Sequence, residues 1–193
     1  VKIPNAIDKV IFGNNIVSNV KFANHILSVG RIEGRKNQLN LIKALEGSDL
    51  YLTIIGKPSP NHMRYYQECV NLIKENDNMQ LIDHIDHKQL ASIFKAAKVH
   101  VLPSWFETTG LSSLEAAIMD CNIVVTSKGD TEEYFKDLAY YCQPDDIRSI
   151  KNTVIKAFNE PNKDSLKQLI LKEYVWEQTA EQTLKAYHSV LNK

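Results

Sequence analysis

Short runs of branched aliphatic residues alternate along the chain with longer segments whose apolar residues recur at helical spacing. The short runs predict strands at residues 25–29, 50–55, 79–82, 99–102, 122–126 and 139–142. After the third run, Leu90, Ile93, Phe94 and Ala97 form the apolar face of a predicted helix. Such alternation specifies parallel strands joined by crossover helices, and the nearly apolar run 122–126 indicates burial on both faces of the sheet. We therefore predict a doubly wound α/β fold with a parallel sheet of about six strands.

A single domain spanning residues 1–193 is predicted, since no repeat, low-complexity tract or Pro/Gly-rich linker divides the chain. The segment from about 174 to 191 differs from the rest, because its helical apolar stripe follows no further strand. The stripe consists of Trp176, Ala180, Thr183, Leu184, Tyr187 and Leu191. A helix with such a stripe must dock, either on this domain or on another one.

Composition and charge exclude several classes of protein. Hydrophobic residues make up 44% of the chain and charged residues 24%, which is typical of globular proteins and excludes disorder. Basic and acidic residues each total 23, so no global field would attract nucleic acid. Cys69, Cys121 and Cys142 share no short spacing, which predicts buried, reduced thiols. With no signal-peptide pattern and no apolar run of the roughly 20 residues that span a bilayer, we expect a cytoplasmic protein.

Ligands of doubly wound sheets bind beyond the carboxyl ends of the strands, so the loops after the strands are informative. The chain contains neither G-x-G-x-x-G nor G-x-x-x-x-G-K-[ST], which argues against dinucleotide oxidoreductases and P-loop NTPases. Instead, residues 30–37 hold two glycines and three cations ahead of a predicted helix at 38–45. Gly30 permits a ligand to approach the backbone closely. The Arg31 guanidinium can donate two parallel hydrogen bonds, and the Lys36 ammonium group supplies a single positive charge. The loop is therefore a candidate phosphate cradle, with an ordinary solvated turn as the alternative.

A second informative segment, residues 103–117, follows the fourth predicted strand. A helix that begins near Gly110 leaves Glu107 in the loop just before the helix. It places Glu115 five residues after Gly110, a rise of roughly 7.5 Å along the helix axis. Both carboxylates can then face one crevice, where they would accept hydrogen bonds from the hydroxyls of a sugar-containing ligand. The alternative is a helix-start acid followed by an exposed acid in the middle of the helix.

Together these residues resemble the retaining GT-B glycosyltransferases of family four, the glycosyl transferases group 1. The resemblance lies in Gly30-Arg31 with Lys36 five residues after the arginine, and in Pro-Ser-x-x-Glu-x-x-Gly-Leu at 103–111 with Glu115 eight residues after Glu107. Asn-Ala-Ile-Asp at 5–8 and Trp-x-x-x-Ala at 176–180 extend it almost from end to end. The resemblance implies the C-terminal half of a GT-B fold, with a Rossmann-like sheet.

The resemblance also implies roles for individual residues. Arg31 and Lys36 would hold the donor diphosphate, and Glu107 would contact the transferred sugar; these three form the implied catalytic set. Glu115 would accept hydrogen bonds from the ribose hydroxyls. The remaining implied donor contacts are made largely through the backbone, by Gly30, Ile85, Thr109, Gly110 and Leu111.

The implied activity is transfer of a sugar from a nucleoside diphosphate sugar to an acceptor hydroxyl, with retention of anomeric configuration. No cofactor or metal is expected, because the loop supplies Arg31 and Lys36 and has no Asp-x-Asp pair beside it. Two alternatives stay open on the residues alone: a nucleotide-sugar epimerase of related fold, and a non-catalytic α/β binding domain.

The resemblance further implies a partner within the same protein. GT-B enzymes have two Rossmann-like halves, so an N-terminal acceptor domain is expected to precede this chain, which would be a fragment inactive alone. The helix at about 174–191 would pack back on that domain, leaving part of its stripe exposed here. Any membrane association of the protein would involve only that N-terminal half.

Two local clusters have competing explanations. Asp83, His84, Asp86 and His87 carry metal-ligating groups, but neighbouring residues of an extended segment point to opposite sides, so Asp86 is better explained as the N-cap of the next helix. The segment 129–133 resembles the family's loop and helix start near the donor, and a capping box from Asp130 to Glu133 explains it equally well. We expect helix starts at both places and no metal site.

Overall fold

A computed structural model describes residues 2–13 and 15–191. It contains one parallel sheet of six strands in the order β3-β2-β1-β4-β5-β6. The strands are β1 (Ile26–Val29), β2 (Leu52–Ile55), β3 (Met79–Ile82), β4 (Val99–Leu102), β5 (Asn122–Thr126) and β6 (Tyr140–Cys142). The doubly wound α/β fold and its six predicted strands are confirmed. Three strands match the prediction at both ends, and the other three begin one or two residues later.

Helices cover both faces of the sheet, because neighbouring strand residues point to opposite sides. The helices are α1 (Gln38–Leu45), α2 (Met63–Lys74), α3 (His87–Ala96), α4 (Leu111–Ile118), α5 (Thr131–Phe135), α6 (Ile147–Asn159), α7 (Asp164–Glu173) and α8 (Trp176–Leu191). Helices α1, α2 and α6 pack on one face, in an apolar layer that includes Ile26 and Val124. Helices α3, α4, α5 and α7 pack on the other face, in a layer that includes Leu27 and Val125. Every residue of β1, β2, β4 and β5 is buried, as expected for a sheet covered on both sides.

The strand order reverses between β1 and β4, which are adjacent in the sheet although two strands separate them in the chain. In an open α/β sheet this reversal opens a crevice at the carboxyl ends of the two strands. The loop that contains Gly30 follows β1, and the loop that contains Glu107 follows β4. The topology therefore brings the two informative segments of the sequence to one place.

The last helix is attached to the domain mainly through the residues before it. Ile7 donates its backbone N–H to the carbonyl of Tyr174 at 2.9 Å, and the Tyr174 ring lies 4.9 Å from that of Tyr134. Helix α8 itself has no buried residue along its described length, and the predicted stripe is largely exposed at Trp176, Leu184, Tyr187 and Leu191. Docking of this stripe on another domain stays a prediction.

The two predicted helix starts exist, but their side-chain caps do not form. Asp86 occupies the N-cap position of α3, and its side chain makes no capping hydrogen bond. Asp130 precedes α5 with φ −100° and ψ 11°, which is not the extended conformation that directs an N-cap side chain toward the helix. The predicted capping box is therefore wrong, and Glu133 pairs with Lys2 instead.

The predicted buried thiols are confirmed. Cys69, Cys121 and Cys142 are free and buried. Burial raises the pKa of the Cys142 thiol to about 12. Within residues 2–13 and 15–191, no helix combines the length and hydropathy that a membrane crossing requires.

Candidate functional site

A cleft of about 410 Å³ lies at the carboxyl ends of β1 and β4, within the usual size range of ligand pockets. Eight of the nine predicted site residues line it: Gly30, Arg31, Lys36, Glu107, Thr109, Gly110, Leu111 and Glu115. The ninth, Ile85, is not among its lining residues and packs, partly buried, against the apolar layer under α3 and α4. Its backbone contact with a base stays a prediction.

The floor of the cleft at the end of β1 is held by close backbone packing. Gly30 has φ +154°, and its N–H donates to the carbonyl of Ile55 at 3.0 Å. A Cβ atom on Gly56 would lie 1.9 Å from the Gly30 carbonyl oxygen, so the two loops approach as only glycine permits. The Ser112 hydroxyl donates to the Val29 carbonyl at 2.8 Å and thereby ties the start of α4 to the same strand end.

The basic loop is arranged around a buried acid that sequence reasoning missed. Glu33 is buried, and its carboxylate lies 3.0 Å from Arg35 Nη2 and 4.0 Å from Arg31 Nε. Arg31 keeps 69% of its side chain exposed, so most of its guanidinium is free to meet a ligand. Arg35 also lines the cleft and donates to the Phe106 carbonyl at 2.9 Å. Glu33 therefore holds Arg35 at the mouth of the cleft and lies near the freer Arg31.

Glu107 is a buried carboxylate compensated by fixed cations. Only 7% of its side chain is exposed, and its Oε2 atom lies 2.5 Å from Lys36 Nζ and 3.7 Å from Arg35 Nη1. The Ser104 hydroxyl donates to the same oxygen at 3.2 Å. Burial of a charge is tolerated when it is paired and hydrogen-bonded in this way.

The backbone of Glu107 is fixed as firmly as its side chain. Its N–H donates to the Lys128 carbonyl, and its carbonyl accepts from the Asp130 N–H, both at 3.0 Å. Between them lies Gly129, with φ +103°, where a Cβ atom would come 2.1 Å from the Glu107 carbonyl oxygen. The loop after β5 therefore supports the loop after β4.

Glu115 is largely buried and has a different kind of partner. Its side chain is 12% exposed, and its Oε1 atom lies 3.2 Å from Nε2 of His87, the first residue of α3. Burial raises the pKa of Glu115 to about 7, and the neighbouring His87 opposes that rise. The His87 ring also packs edge-on against Phe12, with 5.1 Å between the centroids.

A buried histidine connects β1, β4 and α4 beneath the cleft. His100 Nε2 accepts from the Val29 N–H at 3.4 Å, and its Nδ1 lies 3.1 Å from the Ser113 hydroxyl. Burial, together with the charge of Lys36, lowers the pKa of His100 to about 3, so the ring is neutral at physiological pH. A neutral ring can serve both contacts as one acceptor and one donor.

The entrance of α4 is tied to the N-terminal segment. Gly110 has φ +69° and is the N-cap residue, and a Cβ atom there would be strained by that backbone conformation. The Asn5 amide donates to the Thr109 hydroxyl at 2.8 Å. Residues 5–8, noticed in the sequence as a motif, thus reach the cleft through Asn5.

The cluster at 83–87 does not converge on a point. Asp83 accepts from the Tyr66 hydroxyl at 3.0 Å, His84 lies 3.9 Å from Asp86, and His87 turns to Glu115. Within the described residues, no group of three or more His, Cys, Asp or Glu side chains is placed to hold a metal ion. The missed role of His87 had no signal in the sequence beyond its own side chain, because its partner lies on another helix.

The cleft combines cations at its mouth with two carboxylates in its wall. The cationic loop suits a phosphorylated ligand, since guanidinium and ammonium groups bind phosphate oxygens. Carboxylates accept hydrogen bonds and therefore suit hydroxyl groups. The arrangement can bind a molecule that is anionic in one part and rich in hydroxyls in another.

Comparisons with known proteins agree with this architecture. A family model described as "Glycosyl transferases group 1" matches residues 15–182. The chain is 27% identical, over 173 residues, to an uncharacterised glycosyltransferase of Methanocaldococcus jannaschii; the match covers 84% of this chain and 44% of that protein. The chain therefore spans less than half the length of this relative.

Solved structures share the fold. A crystal structure from Anabaena, in complex with UDP and glucose, aligns with a TM-score of 0.85 at 14% identity and covers 97% of this chain and 56% of that chain. The C-terminal domain of a group 1 glycosyl transferase family protein from Francisella tularensis aligns with a TM-score of 0.74 at 20% identity. That match covers 88% of this chain and 99% of the other.

Proposed function

The chain belongs to the glycosyl transferases group 1 family, and we propose that it is the donor-binding domain of a retaining enzyme of GT-B fold. The reaction moves a sugar from a nucleoside diphosphate to an acceptor hydroxyl. Family membership favours sugar transfer over an epimerase or a non-catalytic binding domain. The observation that carries the proposal is the meeting of a basic loop with the buried Glu107 and the largely buried Glu115 in one cleft at the switch point of the sheet.

The diphosphate would bind at the mouth of the cleft, against Arg31 and Lys36. Backbone N–H groups at the start of α4, which lines the cleft, would donate to the same phosphates, since the first turn of a helix leaves its N–H groups without intrahelical partners. Negative charge grows on the diphosphate as its bond to the sugar breaks. Cations that are already fixed by the protein stabilise this charge without reorganising, so they accelerate the chemical step.

The two carboxylates would bind different parts of the donor. Glu107 lies beside Lys36 and would accept hydrogen bonds from the transferred sugar, next to the diphosphate. Glu115, one turn into α4, would accept them from the ribose hydroxyls. We assign both carboxylates to hydroxyl binding and neither of them as a nucleophile.

The acceptor would be bound by another part of the protein. The chain spans less than half of its Methanocaldococcus relative, and the exposed stripe of α8 offers an apolar surface on which a second domain could pack. We therefore expect this chain to bind the donor nucleotide and to transfer no sugar alone. The three free thiols fit a reducing compartment, and we expect the cytoplasm.

A divalent metal is not part of the proposal, because the cations of the loop can neutralise the departing diphosphate. The expected result is that chelation leaves nucleotide binding by this chain, and transfer by the complete enzyme, unchanged. Restoration of lost activity by magnesium or manganese after chelation would contradict this part of the proposal.

Titration calorimetry with UDP, GDP, ADP and their sugars tests the assignment of the two carboxylates. Glu115→Ala should weaken binding of the bare diphosphate by about one to two decades, since hydrogen bonds to a charged group contribute about 1.5–3 kcal/mol. Glu107→Ala should weaken binding of the intact donor more than that of the bare diphosphate. Glu75→Ala, an exposed acid at the end of α2, is the matched control. Equal losses of bare-diphosphate affinity in both cleft variants would refute the assignment.

A further inference from the structure

The ribose end of the cleft contains one titratable partner whose role goes beyond the donor contacts assigned above. His87 lines the cleft beside Glu115, and 54% of its side chain is exposed, whereas Glu115 is almost buried. The pair joins two helices, α3 and α4, whose mutual distance is set by the apolar layer beneath them. The imidazole is therefore fixed at the solvent side of a carboxylate that water scarcely reaches.

A buried carboxylate without a cation tends to keep its proton, because burial disfavours the charged form. Glu115 follows this rule, since its pKa is raised to about 7 chiefly by burial. Nε2 of His87 lies 3.2 Å from Oε1 of Glu115. This contact lowers the pKa of Glu115 and so favours the ionised carboxylate. An ionised carboxylate accepts hydrogen bonds at both oxygens, whereas a protonated one must use one oxygen as a donor.

We infer that His87 is a positioning residue for nucleotide binding, which keeps the Glu115 carboxylate ionised and oriented to accept the hydroxyls of a ribose. The inference rests on the proposed function, because it assumes that Glu115 meets the ribose. It adds a residue and a measurable consequence: discrimination between ribose and a sugar without those hydroxyls depends on pH through the His87–Glu115 pair.

Other charged groups lie near the His87–Glu115 pair, and the experiment must separate their effects on pH dependence from that of the pair. Arg31, Arg35 and Lys36 face the cleft from the loop after β1, and Glu107 faces it from the loop after β4. On α3 itself, Lys88 follows His87; the N-terminal segment contributes the apolar ring of Phe12. The diphosphate of a ligand also titrates, so a comparison of two ligands with the same diphosphate is needed.

The experiment measures the affinities of UDP, GDP and ADP and of their 2′,3′-dideoxy counterparts between pH 5.5 and 9. The ratio of ribo to dideoxy affinity cancels the titration of the diphosphate and of the basic loop. In the unmodified chain we expect this ratio to rise with pH through about 7, as Glu115 loses its proton. Glu115→Gln should give a low ratio at every pH.

His87→Phe keeps an aromatic ring against Phe12 and removes the hydrogen bond. We expect its rise in ratio to move to higher pH, so that the ratio at pH 7 falls about tenfold while dideoxy affinity is unchanged. His87→Lys, which restores a cation, should recover most of the ratio. A purely structural role would instead lower both affinities equally at every pH.

The outcomes separate this inference from the function on which it depends. If Glu115→Gln leaves the ratio unchanged, the ribose assignment in the proposed function is wrong. If Glu115→Gln abolishes the ratio while the His87→Phe profile superimposes on that of the unmodified chain, only the inference about His87 is overturned. A carbon-13 titration of the Glu115 carboxyl without ligand gives an independent readout. Its midpoint must rise in His87→Phe, and an unmoved midpoint would also overturn the inference.

Discussion

The two carboxylates of the cleft are largely removed from solvent, Glu107 more completely than Glu115, and the fold compensates them in different ways. Glu107 has Lys36 at 2.5 Å, Arg35 at 3.7 Å and the Ser104 hydroxyl at 3.2 Å. Glu115 has His87 at 3.2 Å, and among the described residues no lysine or arginine is within salt-bridge distance of it. One acid therefore sits among permanent charges, and the other depends on a partner that is charged only when protonated.

The contrast shows how one cleft can contain a fixed charge and an adjustable one. Lysine and arginine keep their charge over the physiological range, so the Glu107 cluster behaves as a preformed unit. Burial raises the pKa of Glu115 to about 7, so the Glu115 end responds to pH in that range. The fixed unit lies beside the proposed leaving group, where charge must be stabilised without reorganisation.

The largest expected effect comes from removing the permanent cation of Glu107. Lys36→Met leaves a buried carboxylate with only the more distant Arg35 as a cation, and breaking such a pair costs about 3–5 kcal/mol. Urea unfolding at pH 7 measures the loss. The double variant Lys36→Met/Glu107→Gln should recover most of it, because the unpaired charge is then gone. A single variant within about 0.5 kcal/mol of the unmodified chain would show that Lys36 and Glu107 do not compensate each other.

Glu115 is expected to respond in the opposite direction. Its pKa is about 7 in the folded chain, against an ordinary value of 4.5, so the folded state holds a proton that the unfolded chain releases between these pH values. Rising pH through this window therefore removes stability, by up to about 3 kcal/mol. Glu115→Gln should be more stable than the unmodified chain at pH 8 and should show little gain at pH 5.

Urea unfolding at both pH values checks this prediction, with the exposed Glu75→Gln as control. Equal effects of Glu115→Gln at pH 5 and pH 8 would mean that burial of Glu115 does not favour its protonated form. The same variant is expected to lose ribose binding. A higher free energy of unfolding at pH 8 would then show that Glu115 is kept for function although it lowers stability.

The sequence predicts those features of the structure that leave a regular pattern of apolar residues or follow from the order of the strands. It does not predict contacts between side chains that are distant in the sequence. Four of the six strands, β1, β2, β4 and β5, were predictable because they are buried on both faces and their apolar runs are almost continuous. The common cleft was predictable because parallel strands bring their carboxyl ends to one edge. What the sequence cannot give is the partner of a side chain across that edge.

His87 and Arg35 illustrate the limit. His87 stands in a run with Asp83, His84 and Asp86, so its neighbours in sequence suggested a metal cluster or a helix cap; its actual partner is Glu115, on α4. Arg35 lies in the predicted basic loop, but the short helical turn Gly34–Lys36 decides that it turns back to Glu33 and across to Glu107. The capping box failed for a related reason, since the backbone angles at Asp130 are not encoded by its spacing from Glu133.

A smaller effect is expected from the backbone that supports Glu107. Glu107 lies in a loop and depends on contacts with the loop after β5, whereas Glu115 lies within a helix and needs no such support. Gly129→Ala would place a Cβ atom 2.1 Å from the Glu107 carbonyl oxygen at φ +103°. We expect a loss of about 2 kcal/mol and a weaker affinity for the intact sugar donor. Gly47→Ala is the matched control, because Gly47 also has a positive φ, +67°, but no atom within 4 Å of the added Cβ. Equal losses of stability in the two variants, with donor affinity unchanged, would remove the proposed support.

The smallest single effect is expected at Ser104, whose hydroxyl donates to Glu107 Oε2 while Lys36 already holds the same oxygen. Ser104→Ala should cost about 1 kcal/mol in the unmodified chain, because the lysine still compensates the carboxylate. In the Lys36→Met background, the hydroxyl becomes one of few remaining partners of a buried charge, and its removal should cost about 2 kcal/mol. A double-mutant cycle by urea unfolding measures the difference, which a preformed cluster must show because its members share one oxygen. If the two losses add within about 0.3–0.5 kcal/mol, the groups around Glu107 act independently. The distinction between a fixed cluster at Glu107 and an adjustable pair at Glu115 would then fail on the Glu107 side.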